Sequence, residues 1–177
     1  MAKIAFSKLK LNKKEDIVNI QINDIEVEVK QYLPINEKLE LIGTVMNKAA
    51  AANGVNNFFN PVQVDVIGTI EIIKAYTNLS FTEKQQEDIG KLYDILETNG
   101  IINMIIAAMP KEEYLSVIKD IESMIEAYYK YSNSVLGILD KINTDYSDLN
   151  FDTAQIVKNI QDPESLSLLK DVVTKLG

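Results

Sequence analysis

The spacing of apolar residues changes near residue 33, and this change divides the chain into two kinds of structure. Before it, apolar and polar residues alternate at Ile4 and Phe6, from Ile17 to Ile22 and from Ile25 to Lys30. A period of two is typical of strands with one buried face. Asn23-Asp24 tolerates positive φ and predicts a tight hairpin turn. We expect an antiparallel sheet of two or three strands with one polar face.

Two helices are predicted between Pro34 and Tyr76. Pro34 suits a first helical turn, because the amide proton that it lacks has no partner there. The apolar stripe of the first helix comprises Leu39, Ile42, Val45 or Met46, and Ala49. The second helix opens at Asn60-Pro61. Its first valines alternate as in a strand, but its length and its continuing stripe favour one helix.

A capping-box signature, Thr82 with Gln85, starts a further helix that is predicted to stop at Asn99-Gly100. A short apolar helix follows, from Ile101 to Met109. Beyond it, apolar positions recur at intervals of four and three: Tyr114, Ile118, Ile121, Ile125, Tyr128, Ser132, Val135, Leu139 and Ile142. Further apolar residues widen this heptad stripe, which predicts a long central helix packed on more than one side. A break is expected at Ser132-Asn133-Ser134.

The predicted fold class is α+β, mainly α. Residues 1–33 form a small N-terminal antiparallel β-hairpin or sheet, and residues 34–177 form a helical bundle with one long central helix. The bundle ends with a polar loop from Asn143 to Asp152 and two short helices, the last of which opens at Asp162-Pro163. We expect the two parts to form one continuous domain.

Composition excludes much of enzyme chemistry. The 177 residues include no His, Cys or Trp, and all 18 basic residues are Lys. Catalysis by imidazole or thiol, most zinc sites and bidentate binding of phosphate or carboxylate by arginine are therefore excluded. No glycine-rich phosphate loop is present either. Carboxylate pairs such as Glu112-Glu113 or Asp145 and Asp148 are interpreted as solvated surface groups. We predict that the protein is not an enzyme and has no cofactor.

The segment from Asn143 to Asp152 is rich in side-chain oxygens, as a calcium loop would be. An EF-hand needs Gly at its sixth position and Glu at its twelfth, and no register here supplies both. Asx turns and a helix cap account for these residues, so no metal site is predicted.

The first fourteen residues are basic, although the whole chain has a net charge of -8. They carry Lys3, Lys8, Lys10, Lys13 and Lys14 and no acid. Two interpretations stay open: a basic edge strand that meets an acidic partner, or lysines that protect an exposed edge from unwanted pairing. Nucleic-acid binding is not expected, because the chain lacks Arg and an aromatic ladder and is acidic overall.

Two groups of aromatic residues are candidates for contact with a partner. Of Phe58-Phe59, one ring is expected to plug the core and the other to face a partner, unless both staple the loop to the bundle. Tyr128, Tyr129 and Tyr131 span much of the circumference of the long helix, so at least one ring should be at the surface or in a subunit contact, and the default for the others is a core position with the hydroxyl in water. The residues predicted to bind a partner are Phe58, Phe59, Lys8, Lys10 and Tyr129.

The sequence also indicates a compartment. No continuous apolar run of the signal-peptide kind opens the chain, and the most apolar stretch, Gly100 to Met109, is about half the length needed to cross a bilayer. We expect a cytoplasmic protein that does not bind membranes. The heptad helix is satisfied either within one chain or across a dimer, so a homo-oligomer stays open.

The junction between strand and helix carries a family resemblance. Its residues IEVEVKQYLPINEKLELI, from Ile25 to Ile42, resemble small proteins of the virion-assembly modules of phages and prophages of low-GC Gram-positive bacteria. The order of a hairpin, a strand ending in Tyr-Leu-Pro and an amphipathic helix is similar to the opening of tail assembly chaperones. The later phrases FNPVQVDV, YTNLSFTEKQ and LYDILETNG look similar to members of such modules.

The resemblance implies a non-enzymatic chaperone or adaptor that binds phage tail or capsid proteins during virion assembly. It would act in the cytoplasm of the bacterial host cell, and whether it stays in the virion is left open. The alternative is an acidic inhibitor that mimics DNA and blocks a host defence protein. That role needs a dense face of carboxylates, whereas acids and lysines are interspersed along this chain.

Overall fold

The computed structural model describes residues 3–11, 16–53 and 59–145. The chain divides into two compact units, Met1–Ala127 and Tyr128–Gly177, which are described separately. Phe58, the oxygen-rich segment beyond Asp145 and the two helices predicted at the end of the chain lie outside the described residues. The described part is mainly helical, with a two-stranded antiparallel sheet near the N-terminus, so the predicted α+β, mainly α class is confirmed.

The predicted hairpin is present. Strand β1 (Ile17–Ile22) pairs antiparallel with strand β2 (Ile25–Lys30) without a bulge, from Ile17 opposite Lys30 to Ile22 opposite Ile25. Asn23 and Asp24 form the two-residue turn with φ of 48° and 65°, the left-handed conformation that such a turn requires. Their short polar side chains tolerate it, which explains why the turn falls at these two residues.

The residues before the hairpin differ from the prediction. Residues 3–11 contain a single 3-10 turn, Phe6–Leu9, and no strand, so the interpretation of Lys8 and Lys10 as part of an edge strand is wrong. The amide of Lys8 donates to the carbonyl of Ala5 over 3.0 Å, and Lys10 ends the turn at a φ of 49°. Alternating apolar residues form a strand only where a neighbouring strand accepts their backbone hydrogen bonds.

Seven helices follow among the described residues: α1 (Ile35–Asn53), α2 (Pro61–Tyr76), α3 (Glu83–Glu87), α4 (Ile89–Thr98), α5 (Ile101–Ala108), α6 (Lys111–Ser132) and α7 (Val135–Asp145). The segment Pro61–Tyr76 is one helix, as predicted, and the side chain of Asn60 caps it by accepting a hydrogen bond from the amide of Val62. The longest of the seven, α6, ends at the predicted break before Val135.

The helix that Thr82 was expected to start is two helices. The capping box is present, because Thr82 and Gln85 exchange hydrogen bonds at the start of α3. After one turn, however, Asp88 leaves the helical conformation, with φ of -113° and ψ of 74°, and its carboxylate accepts a hydrogen bond from the amide of Lys91 over 3.1 Å. This second cap starts α4, which ends at Asn99-Gly100 as predicted; Gly100 has a φ of 70°, which favours glycine.

The core of the first unit centres on α2. Half of this helix is buried: Val64, Ile67, Gly68, Ile70, Glu71, Ile72, Ile73 and Tyr76. It packs against α1, α4 and α5, and Val27 and Val29 of β2 are buried as well. The long helix α6 contributes Val117 and Ile121 to the buried residues.

In the second unit, the end of α6 meets α7 through a tight connection. Ser134 donates hydrogen bonds from both its amide and its hydroxyl to the carbonyl of Tyr131. A β-carbon at Gly137 would collide with that same carbonyl, so the connection requires glycine there. Tyr131 is exposed, which confirms that at least one ring of the tyrosine group reaches the surface.

Candidate functional site

The first candidate site is a group of polar side chains beneath the junction between β2 and α1, which we call the junction cluster: Lys38, Tyr76 and Glu113. The carboxylate of Glu113 accepts hydrogen bonds from the amide of Leu33 at 2.9 Å, from Lys38 Nζ at 2.9 Å and from the hydroxyl of Tyr76 at 2.7 Å. The Lys38 and Glu113 side chains are each 11% exposed, and Tyr76 is fully buried.

Each member of the junction cluster is positioned by local structure. Leu33 lies three residues beyond the end of β2, so its amide has no strand partner and needs another acceptor. Glu113 supplies that acceptor from the first turn of α6, where a negative charge also suits the helix dipole. Beside it, the side chain of Gln31 donates to the carbonyl of Ala108 over 2.9 Å, near the end of α5. The cluster therefore joins the strand-to-helix junction to α2 and α6.

The electrostatics of the junction cluster keep its charges fixed. Burial alone would raise the pKa of Glu113, but hydrogen bonds from Leu33, Lys38 and Tyr76, together with the charge of Lys38, hold that pKa below its usual value. Burial and the neighbouring Glu113 carboxylate raise the pKa of Tyr76. At neutral pH the cluster therefore holds an ionised carboxylate and a neutral phenol. A base with a lowered pKa and three hydrogen-bond donors is poorly suited to proton abstraction.

A second buried carboxylate lies on α2. Glu71 accepts hydrogen bonds from Lys48 Nζ at 2.7 Å and from Lys74 Nζ at 3.0 Å, and its side chain is 6% exposed. Lys74 also donates to the side-chain oxygen of Gln86, which in turn donates to the carbonyl of Phe81. These contacts join α1 and α2 to α3, so this group also links helices of the fold.

Nothing in the described residues indicates an unsatisfied or metal-binding group. In residues 3–11, 16–53 and 59–145, every buried side-chain nitrogen or oxygen has a hydrogen-bond partner. The same residues contain no group of three or more acidic side chains placed to hold a metal ion. None of their helices combines the length and the apolar character that spanning a bilayer requires.

The surface offers a different kind of candidate, the N-terminal segment, defined as residues 3–11. Its large apolar side chains are all exposed: Ile4 by 75%, Phe6 by 72%, Leu9 by 53% and Leu11 by 65%. Lys3, Lys8 and Lys10 alternate with them and are exposed too. An apolar residue that is exposed singly is ordinary, but four within one short segment are the pattern of a binding surface.

The residues predicted to bind a partner have different surroundings. Phe59 is buried, which excludes it as an exposed anchor. Both interpretations of Phe58-Phe59 place at least one ring in the core, and because Phe58 lies outside the described residues, both stay open. Tyr129 is half-buried in the second unit, beside Tyr128 with ring centres 6.4 Å apart. Lys8 and Lys10 lie together on the N-terminal segment. These two lysines neighbour the exposed apolar side chains of the N-terminal segment.

The junction cluster and Glu71 were missed by sequence reasoning. Glu113 was interpreted as a solvated carboxylate with Glu112, yet only Glu112 is exposed. A signal was nevertheless present, because Lys38 is spaced at three, four and seven residues from Leu41, Ile42 and Val45, the buried stripe of α1. A lysine within an apolar stripe indicates a buried acidic partner.

Comparisons with known proteins add no relative: no family model matches the chain, and neither a curated protein nor a solved structure matches it. The class that the fold defines is a mainly helical α+β protein with an N-terminal hairpin.

Proposed function

We propose that this chain is a non-enzymatic phage protein that binds other phage proteins during virion assembly, as a chaperone or adaptor. The observation that carries the proposal is the exposure of Ile4, Phe6, Leu9 and Leu11 on one short basic segment. The resemblance at the junction between Ile25 and Ile42 supplies the phage context.

The N-terminal segment has the chemistry of a docking peptide. Its four apolar side chains lose contact with water only when another surface covers them, and burying each would contribute roughly 1.5–3 kcal/mol before the cost of ordering is subtracted. A segment that orders on binding wraps a partner with modest affinity and releases it again. An assembly chaperone has to cover a surface of its partner and later release it, which this kind of binding allows.

The lysines of the segment define the kind of surface that it fits. Lys3, Lys8 and Lys10 lie between the apolar residues, and the segment contains no acid. A partner with an apolar groove rimmed by Asp and Glu would complement both features and would be attracted over distance at low salt.

The buried acids support the non-enzymatic part of the proposal. Glu71 and Glu113 are each bound by lysine ammonium groups. Burial raises the pKa of many catalytic acids and bases, but at Glu113 the hydrogen bonds and the charge of Lys38 outweigh burial and lower the pKa.

The test is co-expression of the chain with tail and capsid proteins from the same phage module, followed by affinity capture and identification of bound proteins. The native chain should capture at least one of them. Phe6→Ser should weaken that capture by on the order of tenfold, since a large apolar anchor is lost. Val62→Ser is the matched control, because Val62 is also 72% exposed but lies on α2.

Two results would contradict the proposal. Failure to capture any protein of the module would reject the assembly role, and equal loss of capture in Phe6→Ser and Val62→Ser would reject the N-terminal segment as the contact. The DNA-mimic alternative predicts instead that the chain displaces duplex DNA from a basic nuclease in a salt-dependent way, and that Phe6→Ser leaves this displacement unchanged.

A further inference from the structure

The two edges of the hairpin differ in their partners. On the outer edge of β2, the amide of Glu28 donates to the side-chain oxygen of Asn78 over 3.1 Å, and Val29 forms a backbone bridge with Thr77. The outward backbone groups of β1 have no such hydrogen-bonded partner within the described residues, although α5 packs against this strand. The difference is visible in exposure, since Ile17 and Val18 are 52% and 41% exposed whereas Val29 is fully buried.

The register shows which groups lie on the open edge. The amide of Gln31 donates to the carbonyl of Asp16, so these two residues form a hydrogen-bonded pair. Along an antiparallel ladder, hydrogen-bonded pairs alternate with pairs whose backbone groups point away from the partner strand. The backbone groups of Ile17, Asn19 and Gln21 consequently point away from β2. No hydrogen bond joins these groups to any other described residue.

This edge lacks the features that usually prevent pairing. Natural edge strands carry lysine, proline, a bulge or a charge directed inward. The six residues of β1, IVNIQI, include no charged residue and no proline, and their pairing with β2 is continuous. Of the lysines expected to protect an edge, Lys3, Lys8 and Lys10 lie on the N-terminal segment, outside any strand, and Lys13 and Lys14 lie outside the described residues.

We propose that β1 pairs antiparallel with β1 of a second copy of this chain, across a two-fold axis at Asn19, so that two hairpins form one four-stranded sheet. The proposal rests on the open edge and is independent of the proposed function.

The pattern of β1 favours a second copy as the occupant. When two edge strands pair, residues whose backbone groups point outward lie opposite residues of the same kind. A register centred on Asn19 pairs all three such residues of β1, because Asn19 lies opposite the partner's Asn19 and Ile17 lies opposite the partner's Gln21. The same register sets Val18 opposite the partner's Ile20, on the apolar face of each sheet. Because β1 is uncharged, a copy of itself introduces no repulsion between like charges.

Charge at the axis provides the first test. Asn19→Lys places two ammonium groups beside each other in the dimer, and Asn19→Asp does the same with two carboxylates. Each variant alone should dissociate on the order of 100-fold more readily than the native chain, as measured by light scattering or sedimentation. An equimolar mixture of the two variants should recover a dimer, since only the mixed pair brings opposite charges together.

A disulfide provides the second test, and the absence of cysteine from the chain leaves no competing thiol. In the proposed register, the α-carbons of two residues at position 19 lie about 5.5 Å apart, which a disulfide spans. Asn19→Cys should therefore form a covalent dimer on mild oxidation. Gln21→Cys is the control on the same edge, because its two copies would be separated by more than about 13 Å along the strands.

The native chain is expected to be a dimer at micromolar concentration, and circular dichroism of each variant checks that the hairpin remains folded. A monomeric native chain would overturn the proposal. So would a dimer that persists in Asn19→Lys and Asn19→Asp equally, since that dimer would use another surface, such as the heptad stripe of α6. Equal cross-linking of Asn19→Cys and Gln21→Cys would overturn the register.

Discussion

The junction cluster and the N-terminal segment both depart from the usual distribution of side chains, in opposite directions. The junction cluster buries a lysine and a glutamate, whereas the N-terminal segment exposes a phenylalanine and three aliphatic residues. The carboxylate of Glu113 accepts a hydrogen bond from each of three donors, and these bonds hold its charge in place. The apolar side chains of the segment face water. The first departure is satisfied within the chain, and the second leaves apolar area in contact with water that the proposed partner would cover.

This contrast separates two kinds of consequence. Removing one partner of a buried ion pair leaves the other charge without compensation, which destabilises the fold. Removing an exposed apolar side chain changes the fold little but takes area away from any partner. Substitutions in the two regions should therefore affect the free energy of unfolding and the capture of a partner separately.

The largest effect on stability is expected for Glu113→Gln. This change leaves the ammonium group of Lys38 buried beside a neutral amide, and it should lower the free energy of unfolding by about 3–5 kcal/mol. Denaturation with urea, followed by circular dichroism, measures the loss. Glu112→Gln is the control because Glu112 is the adjacent residue and is exposed. Equal midpoints for the two variants would show that the junction cluster does not hold the fold together.

A smaller loss is expected for Glu71→Gln. The side chain of Glu71 is buried more deeply than that of Glu113, but Lys48 and Lys74 are 37% and 30% exposed and reach water when Glu71 is replaced. We expect a decrease of about 2 kcal/mol in the free energy of unfolding. The same urea titration measures it, with the exposed Glu122→Gln as control. A loss greater than that of Glu113→Gln would contradict the argument from lysine exposure.

Acid provides a further test of the junction cluster. The pKa of Glu113 is lowered in the folded state, so its contribution to stability is present above the ordinary glutamate pKa of 4.5 and disappears as pH falls through the lowered value. The free energy of unfolding of the native chain should therefore fall more steeply on acidification below about pH 4.5 than that of Glu113→Gln. Parallel curves would show that Glu113 does not carry this part of the acid dependence.

Local signals predicted much of the fold. The turn at Asn23-Asp24, the capping box of Thr82 and the break before Val135 each depend on residues close together in sequence, and all three are present. The division of α3 from α4 is local too, because Asp88 caps a helix of its own. That aspartate could have been recognised as a second helix start.

The long-range contacts could not be predicted in this way. Lys38 and Glu113 are 75 residues apart in sequence, and no periodicity connects them. Their pairing also explains why Leu39, expected in the buried stripe of α1, is exposed while Lys38 is buried. The N-terminal segment shows the converse limit, since a period of two describes alternating side chains but not the neighbouring strand that a sheet needs.

The smallest effect is expected in a matched pair of isoleucines. Ile4 of the N-terminal segment is 75% exposed and Ile105 of α5 is fully buried. Ile105→Val removes one methylene from the packed core and should lower the free energy of unfolding by about 1 kcal/mol. Ile4→Val should change that free energy by less than about 0.5 kcal/mol, because no packed neighbour loses contact. Urea unfolding of both variants makes the comparison, and a loss at Ile4 equal to the loss at Ile105 would mean that the N-terminal segment packs on the folded chain and is not free to bind a partner.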